Sequence, residues 1–390
     1  MIKNKLIALA MALLLCLSVT SCAGRPVFNT ASPEQMQVSQ SVSQAPSSSQ
    51  QESFESSSEV SSLITSREET NSAPSSSTPS SSAPSSSVAP PAPSSQPSAT
   101  SSSAVSSKPA TLEESLTQIS ATHAFVYDNK REVLFVKGKM NARVYPASIT
   151  KLYTAYVALQ YLDPAAVVQA GDELKLLAAD SSVASIQKGN RLTVEMLFQG
   201  MLLPSGNDAA YVIAAAAGRV ILEQPDCDAK KAVDAFVDTM NRHAQSDGLT
   251  GTKFANPDGY HQKNHYSCMS DLLTVAKLAL KTPMILKYTG QDSAQVTFES
   301  GETRTWKNTN ALLHMDSEYY RSGVIGLKTG FTGPAGHCLI TAAVRGNALV
   351  MVGVFQAVSS KKRFEDTVTL LDAYPDLLNA YDAQTSSKAA

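Results

Sequence analysis

The chain has 390 residues, with 32 Lys plus Arg against 34 Asp plus Glu and a formal net charge of −2 at pH 7. A near-neutral chain without a basic stripe excludes an electrostatic nucleic-acid surface. Its five cysteines are irregularly spaced and include no Cys-x-x-Cys pair, which excludes a disulfide framework and the usual zinc signature.

Lys3 and Lys5 precede an apolar run from Leu6 to Leu17. That run is shorter than the roughly 20 residues a spanning helix needs, so residues 1–21 read as a signal peptide. The segment closes on Val19-Thr20-Ser21-Cys22, which resembles the lipobox of bacterial lipoproteins, with Cys22 acylated as the new N-terminus. The alternative is ordinary secretory cleavage near Ala23. Acyl chains contribute about 0.8 kcal/mol per buried methylene, so more than one chain gives a stable anchor to the membrane. Cys16 leaves with the signal peptide. Cys227, Cys268 and Cys338 then remain; at most one bridge could form among them, and three buried thiols are expected.

Residues 22–110 are dominated by Ser, with Pro, Gln and Ala, from about residue 30 to Lys108. Few apolar groups are present to offset the entropy of ordering, so this is a disordered tether. Its reach as a flexible coil is roughly 50 Å. The globular part is residues 111–380, enough for a large core, and 381–390 read as a disordered tail.

Ala124–Tyr127 and Glu132–Val136 flank Asp128-Asn129-Lys130-Arg131 as a β-hairpin. Pro146-Ala147-Ser148 opens a helix in which Leu152, Ala155, Tyr156, Leu159 and Leu162 share one face, closed by Asp163-Pro164. Further helices are predicted over Val194–Leu203, Asp208–Ala217 (ended by Gly218), Ala229–Ala244 and Ser270–Lys281. Short apolar runs at Gly323–Leu327, Leu339–Val344 and Ala348–Phe355 read as antiparallel strands, and a terminal helix spans Arg363–Leu378. Strands at both ends with helices between imply an α/β fold: an antiparallel sheet assembled from distant segments and flanked by helices, with an inserted all-helical lobe. A cleft between them is the expected seat of chemistry.

Three segments carry the candidate chemistry. Ser148-Ile149-Thr150-Lys151 sets a hydroxyl and an amine on one helix face, where a desolvated lysine can take the serine proton. Two other Ser-x-x-Lys stretches, beginning at Ser185 and Ser359, lie in polar or charged segments and read as solvated surface. Pro204-Ser205-Gly206-Asn207 follows one helix and precedes the next, so a plain N-cap is the bland reading. Lys328-Thr329-Gly330 ends a strand at a glycine, where a ligand's backbone could come close. His261 and His265 have zinc-ligand spacing but lack the adjacent Glu, so no metal and no other cofactor is expected.

The ordered set S-x-x-K, S-x-N and K-T-G is the signature of serine β-lactamases and penicillin-binding proteins. Pro204–Ala210, Gly326–Thr332, Phe254–Tyr260 and Trp306–Leu313 extend the likeness, and residues 115–380 resemble the D-alanyl-D-alanine carboxypeptidases among the low-molecular-mass penicillin-binding proteins. The resemblance implies the β-lactamase/DD-peptidase-like fold and hydrolysis of peptidoglycan stem peptides through an acyl-enzyme on Ser148. Lys151 would accept its proton and Ser205 would relay that proton to the leaving amine. Asn207 would bond the substrate amide and the lysine, while Lys328 and Thr329 hold the terminal carboxylate. The N–H groups of Ser148 and Phe331 would form the oxyanion hole. β-Lactams would be covalent inhibitors, and the enzyme would sit outside the cytoplasm of a bacterium. The chain carries Asp258 where many relatives have histidine, and Cys22 would replace their C-terminal amphipathic anchor. A serine β-lactamase or a catalytically silent penicillin-binding sensor of the same fold are the alternatives.

Overall fold

The computed structural model describes residues 111–389. α1 (Leu112–Thr117) opens on a capping box: Thr111 Oγ1 accepts from the Glu114 N–H, and the Glu114 carboxylate accepts from the Thr111 N–H. β1 (His123–Asp128) and β2 (Glu132–Lys137) form the expected hairpin. A 3₁₀ turn, Ala147–Ile149, leads into α2 (Thr150–Ala158). The lobe continues with α3 (Val194–Leu202), α4 (Asn207–Ile221), α5 (Ala229–Ser246), α6 (Met269–Lys281) and α7 (Pro283–Thr289). A polar hairpin, Ser293–Thr297 with Thr303–Lys307, separates it from β3 (Val324–Thr332), β4 (Gly336–Arg345) and β5 (Ala348–Ala357). α8 (Ser360–Asp372) and α9 (Tyr374–Ala389) close the chain.

The five main strands form one antiparallel sheet in the order β2-β1-β5-β4-β3. Alternate residues enter two different cores. Phe125, Ile340, Met351 and Phe355 face the helical lobe. Val126, Leu339, Val350, Val352 and Val354 face Phe364, Leu370 and Leu371 of α8 and Tyr374 and Leu377 of α9. Covering on both sides explains why β5 reads as an almost unbroken apolar run, each fully buried aliphatic side chain contributing about 1.5–3 kcal/mol. β3 lies at the sheet's edge, and among the described residues no strand pairs with its outer side.

Several boundaries differ from expectation for identifiable reasons. α2 ends at Ala158 rather than Leu162 and is not amphipathic: Thr150, Lys151, Tyr153 and Thr154 are as buried as Leu152 and Ala155. Its polar side is satisfied internally, Thr154 donating to Pro257 O (2.6 Å) and Tyr153 to Asp247 (2.7 Å). Gly218 lies inside α4 instead of ending it, and a Cβ there would come within 1.8 Å of Ala232 O, so it lets α4 and α5 meet backbone to backbone. β3 runs through Gly330 to Thr332 rather than stopping at the glycine. The single terminal helix is two, parted at Ala373 just before Pro375, and α9 runs to Ala389 through the segment read as a tail. Among the described residues, no helix is long and apolar enough to cross a membrane. The signal peptide, Cys22 and the tether lie outside the described residues.

Candidate active site

The 3₁₀ turn sets Ser148 one turn before Lys151. Ala147, at φ 49°, takes a left-handed conformation that costs an L-residue about 1–2 kcal/mol. It is held there by Gly259 (φ 84°), whose missing side chain leaves room for the Ala147 carbonyl; a Cβ would lie 1.9 Å from that oxygen. Ser148 is partly open, whereas Lys151 is fully buried. The Lys151 ammonium spends its three donors on Ser148 Oγ (2.8 Å), Asn207 Oδ1 (2.7 Å) and the Asp258 carbonyl (2.8 Å). Burial pulls Lys151 down to about 8, against the opposing charges of Asp258 and Asp208. Burial pushes both carboxyls upward in turn.

The S-G-N segment is shaped by a strap, residues 182–186, that lies against it. Ser205 is left-handed at φ 66°, and Gly206 is the N-cap of α4. Neither Ser205 nor Asn207 caps that helix with its side chain, so the plain capping reading fails. Ser182 donates its hydroxyl to Ser205 O (2.8 Å) and accepts at its carbonyl from the Asn207 N–H (2.8 Å). The buried Asp208 carboxylate accepts from the N–H groups of Ala184, Ile186 and Ala209. Gly206 is needed where strap and helix touch: a Cβ would sit 2.7 Å from Ala184 Cβ and Gly200 O.

β3 brings the third segment in. A Cβ on Gly330 would lie 3.1 Å from the Ser148 backbone nitrogen and 3.0 Å from Pro146 O, so this strand passes directly beside the Ser148 amide. Lys328 and Thr329 are buried. Lys328 Nζ donates to Thr329 O (3.1 Å), and the Thr329 hydroxyl is paired with that of Thr309 (2.6 Å). Burial holds Lys328 well below its ordinary value, and the charges of Lys151 and Arg363 push the same way. Phe331 exposes 57% of its surface, with its ring stacked on His337 at 4.3 Å.

Arg363 was missed in the sequence because Lys361-Lys362-Arg363 looks like a solvated turn. It is 7% exposed, and its Nη1 donates to Gly330 O (3.3 Å) and Cys338 O (3.5 Å), while among the described residues Nε has no partner. Thr309 had only the Trp306–Leu313 likeness to signal it. The Asp258 carbonyl had no signal of its own, because any residue supplies one.

The competing residues fall elsewhere. Ser185 is exposed, and Ser359 caps α8 by accepting from the Lys362 N–H. His265 is buried with both ring nitrogens engaged, at Thr150 Oγ1 (2.8 Å) and the Ala255 N–H (3.1 Å), and burial drives it down to about 3. Cys227, Cys268 and Cys338 are free thiols; Cys227 is only partly buried, contrary to expectation. Burial pushes Cys338 up to about 11, which makes it a poor nucleophile.

An antiparallel sheet, a helical lobe, and a serine bonded to a buried lysine meet at one junction. Residues 108–359 match the family model described as D-alanyl-D-alanine carboxypeptidase. The chain belongs to that family. A Streptomyces D-alanyl-D-alanine carboxypeptidase is 32% identical over 273 residues, covering 68% of this chain and 90% of the relative. The Bacillus subtilis D-alanyl-D-alanine carboxypeptidase DacF is 31% identical over 246 residues, which span 62% of this chain and 58% of its own length. Among solved structures, a Streptomyces DD-transpeptidase superposes with a TM-score of 0.58 at 31% identity, covering 65% of this chain and 96% of that one. Penicillin-binding protein D2 of Listeria monocytogenes, solved with ampicillin bound, gives 0.53 at 29% identity over 65% and 97%. This is a family of cell-wall enzymes whose substrate lies outside the cytoplasm.

Proposed function

We infer that this protein is a serine-type D-alanyl-D-alanine carboxypeptidase that trims the terminal D-alanine from peptidoglycan stem peptides. The observation that carries the reading is the 2.8 Å contact between Ser148 Oγ and a fully buried Lys151 held near 8. Burial lowers the lysine's hold on its proton, so the neutral amine that can serve as a base is easier to reach near neutral pH.

In the reaction, Ser148 Oγ attacks the carbonyl carbon of the penultimate D-alanine and its proton passes to neutral Lys151. The oxyanion rests between the N–H groups of Ser148 and Phe331, where losing one donor typically costs about 10²–10³ in rate. Ser205 relays the lysine's proton to the departing nitrogen, the C–N bond breaks, and D-alanine leaves with its carboxylate against Lys328 and Thr329. Asn207 bonds the upstream amide, and the peptide runs beside β3 as an added strand. Water then attacks the ester, Lys151 takes its proton, and Ser148 is restored. A β-lactam would acylate Ser148 by the same attack.

The test is D-alanine release from a Lys-D-Ala-D-Ala peptide by the intact chain. Release that disappears in Ser148→Ala supports the reading; penicillin labelling with no release would leave a silent sensor. Rapid multiple turnover of nitrocefin would instead favour a β-lactamase. We further propose that Cys22 carries lipid and that residues 22–110 tether the enzyme to the membrane. Cys22→Ala should then shift the protein from the membrane fraction to the medium, and unchanged retention would count against the anchor.

A further inference from the structure

The roles proposed above account for the scissile bond and the leaving D-alanine, and leave the upstream side chains of the stem peptide without a partner. A closed circuit of contacts marks where those side chains emerge. Lys151 Nζ reaches both the Asp258 carbonyl and Asn207 Oδ1. The Asn207 N–H donates to Ser182 O (2.8 Å). Tyr260, two residues beyond Asp258, donates its hydroxyl to Asp180 Oδ1 (2.7 Å), two residues before Ser182. Two residues of chain span at most about 7 Å, so the Tyr260–Asp180 bridge crosses the same gap that Lys151 crosses at depth. Lys151 is fully buried and Asp180 is exposed, which puts the bridge at the rim.

The chemistry of this rim differs from that of the β3 wall. The basic side chains of Lys328 and Arg363 lie buried beside β3. On the strap side, the donor to Asp180 is a phenol bonded to one carboxylate oxygen, which leaves the second oxygen for another donor. A stem peptide with its leaving carboxylate at Lys328 and its upstream amide at Asn207 would direct its third residue toward the strap side of the cleft, where Asp180 stands exposed beside Tyr260.

We propose that Asp180 is a specificity-determining residue, oriented by Tyr260, that favours stem peptides whose third residue carries a free cationic amine. This rests on the carboxypeptidase reading and adds the substrate class to it.

The experiment compares Nα-acetyl-Lys-D-Ala-D-Ala with its Nε-acetylated counterpart, which lacks the charge. The free amine should be preferred by roughly 5-fold in kcat/KM, chiefly through KM, as suits an exposed ion pair. The preference should shrink as salt is raised to about 0.5 M. Asp180→Asn should equalise the two peptides, and Asp180→Lys should invert their order. No preference in the wild-type chain, or a preference that survives Asp180→Asn, would overturn the proposal. If neither peptide is cleaved although penicillin labels Ser148, the carboxypeptidase reading has failed separately. The same peptides then compete against penicillin labelling, where better protection by the free amine supports Asp180 and equal protection rejects it.

Discussion

The two buried lysines of the cleft share an environment by burial and differ in everything that touches them. Lys151 meets three acceptors and is flanked by the carboxyls of Asp208 and Asp258. Lys328 meets one carbonyl and is flanked by Lys151 and Arg363. The first pocket gives a base every hydrogen bond it needs without a ligand. In the second, a basic group has one acceptor and, among the described residues, no acidic neighbour, so an arriving carboxylate would supply the partner that favours its charged form. One amino-acid type, equally desolvated, is thereby suited to proton transfer in one wall and to anion capture in the other.

The sharpest way to break this contrast is to remove each amine. Lys151→Ala should slow acylation by penicillin about 10²–10⁴-fold, the usual worth of a positioned general base. Lys328→Ala should cost about 10–100-fold in kcat/KM for the peptide, the loss of a charge-assisted contact. Pre-steady-state acylation rates should assign the first loss to the chemical step, and steady-state kinetics should show the second in KM. If both variants lost activity in the same parameter, the division of labour would be wrong. Arg363→Leu removes the supporting charge without touching the nucleophile. A smaller loss, about 5- to 10-fold and again in KM, is expected there.

The pH profile sharpens the same contrast. Lys151 must be neutral to accept a proton, and its pKa is lowered, so acylation should rise with pH and level off above about 8. Asp258 opposes that lowering. Asp258→Asn should therefore make the neutral amine easier to form and move the midpoint to lower pH, by under about one unit. A midpoint that moved upward would reverse the sign of the proposed coupling. This is the smallest of the four effects, measurable by stopped-flow labelling across pH.

The three segments that meet at the cleft were legible in the sequence. Ser148, Lys151, Ser205, Asn207, Lys328 and Thr329 were all named from three short motifs, and the structure brings those segments to one cleft. What escaped notice depends on tertiary packing. That the second face of α2 is buried as well was not legible, because its partners, Pro257, Asp247 and His265, lie about a hundred residues away. Gly218 looked like a helix stop because nothing local announces that α5 presses against it. The hairpin at Ser293–Thr297 and Thr303–Lys307 is mostly polar, its buried side chains including Val296 and Trp306, too weak a pattern to register as strands. Arg363 was hidden by two exposed lysines before it.

The most direct measurement is intact-mass analysis of the full chain after reaction with benzylpenicillin, followed by mapping of the modified peptide. The account predicts one adduct, on Ser148, and none in Ser148→Ala. An adduct on Ser185 or Ser359, or labelling that persists in Ser148→Ala, would contradict it.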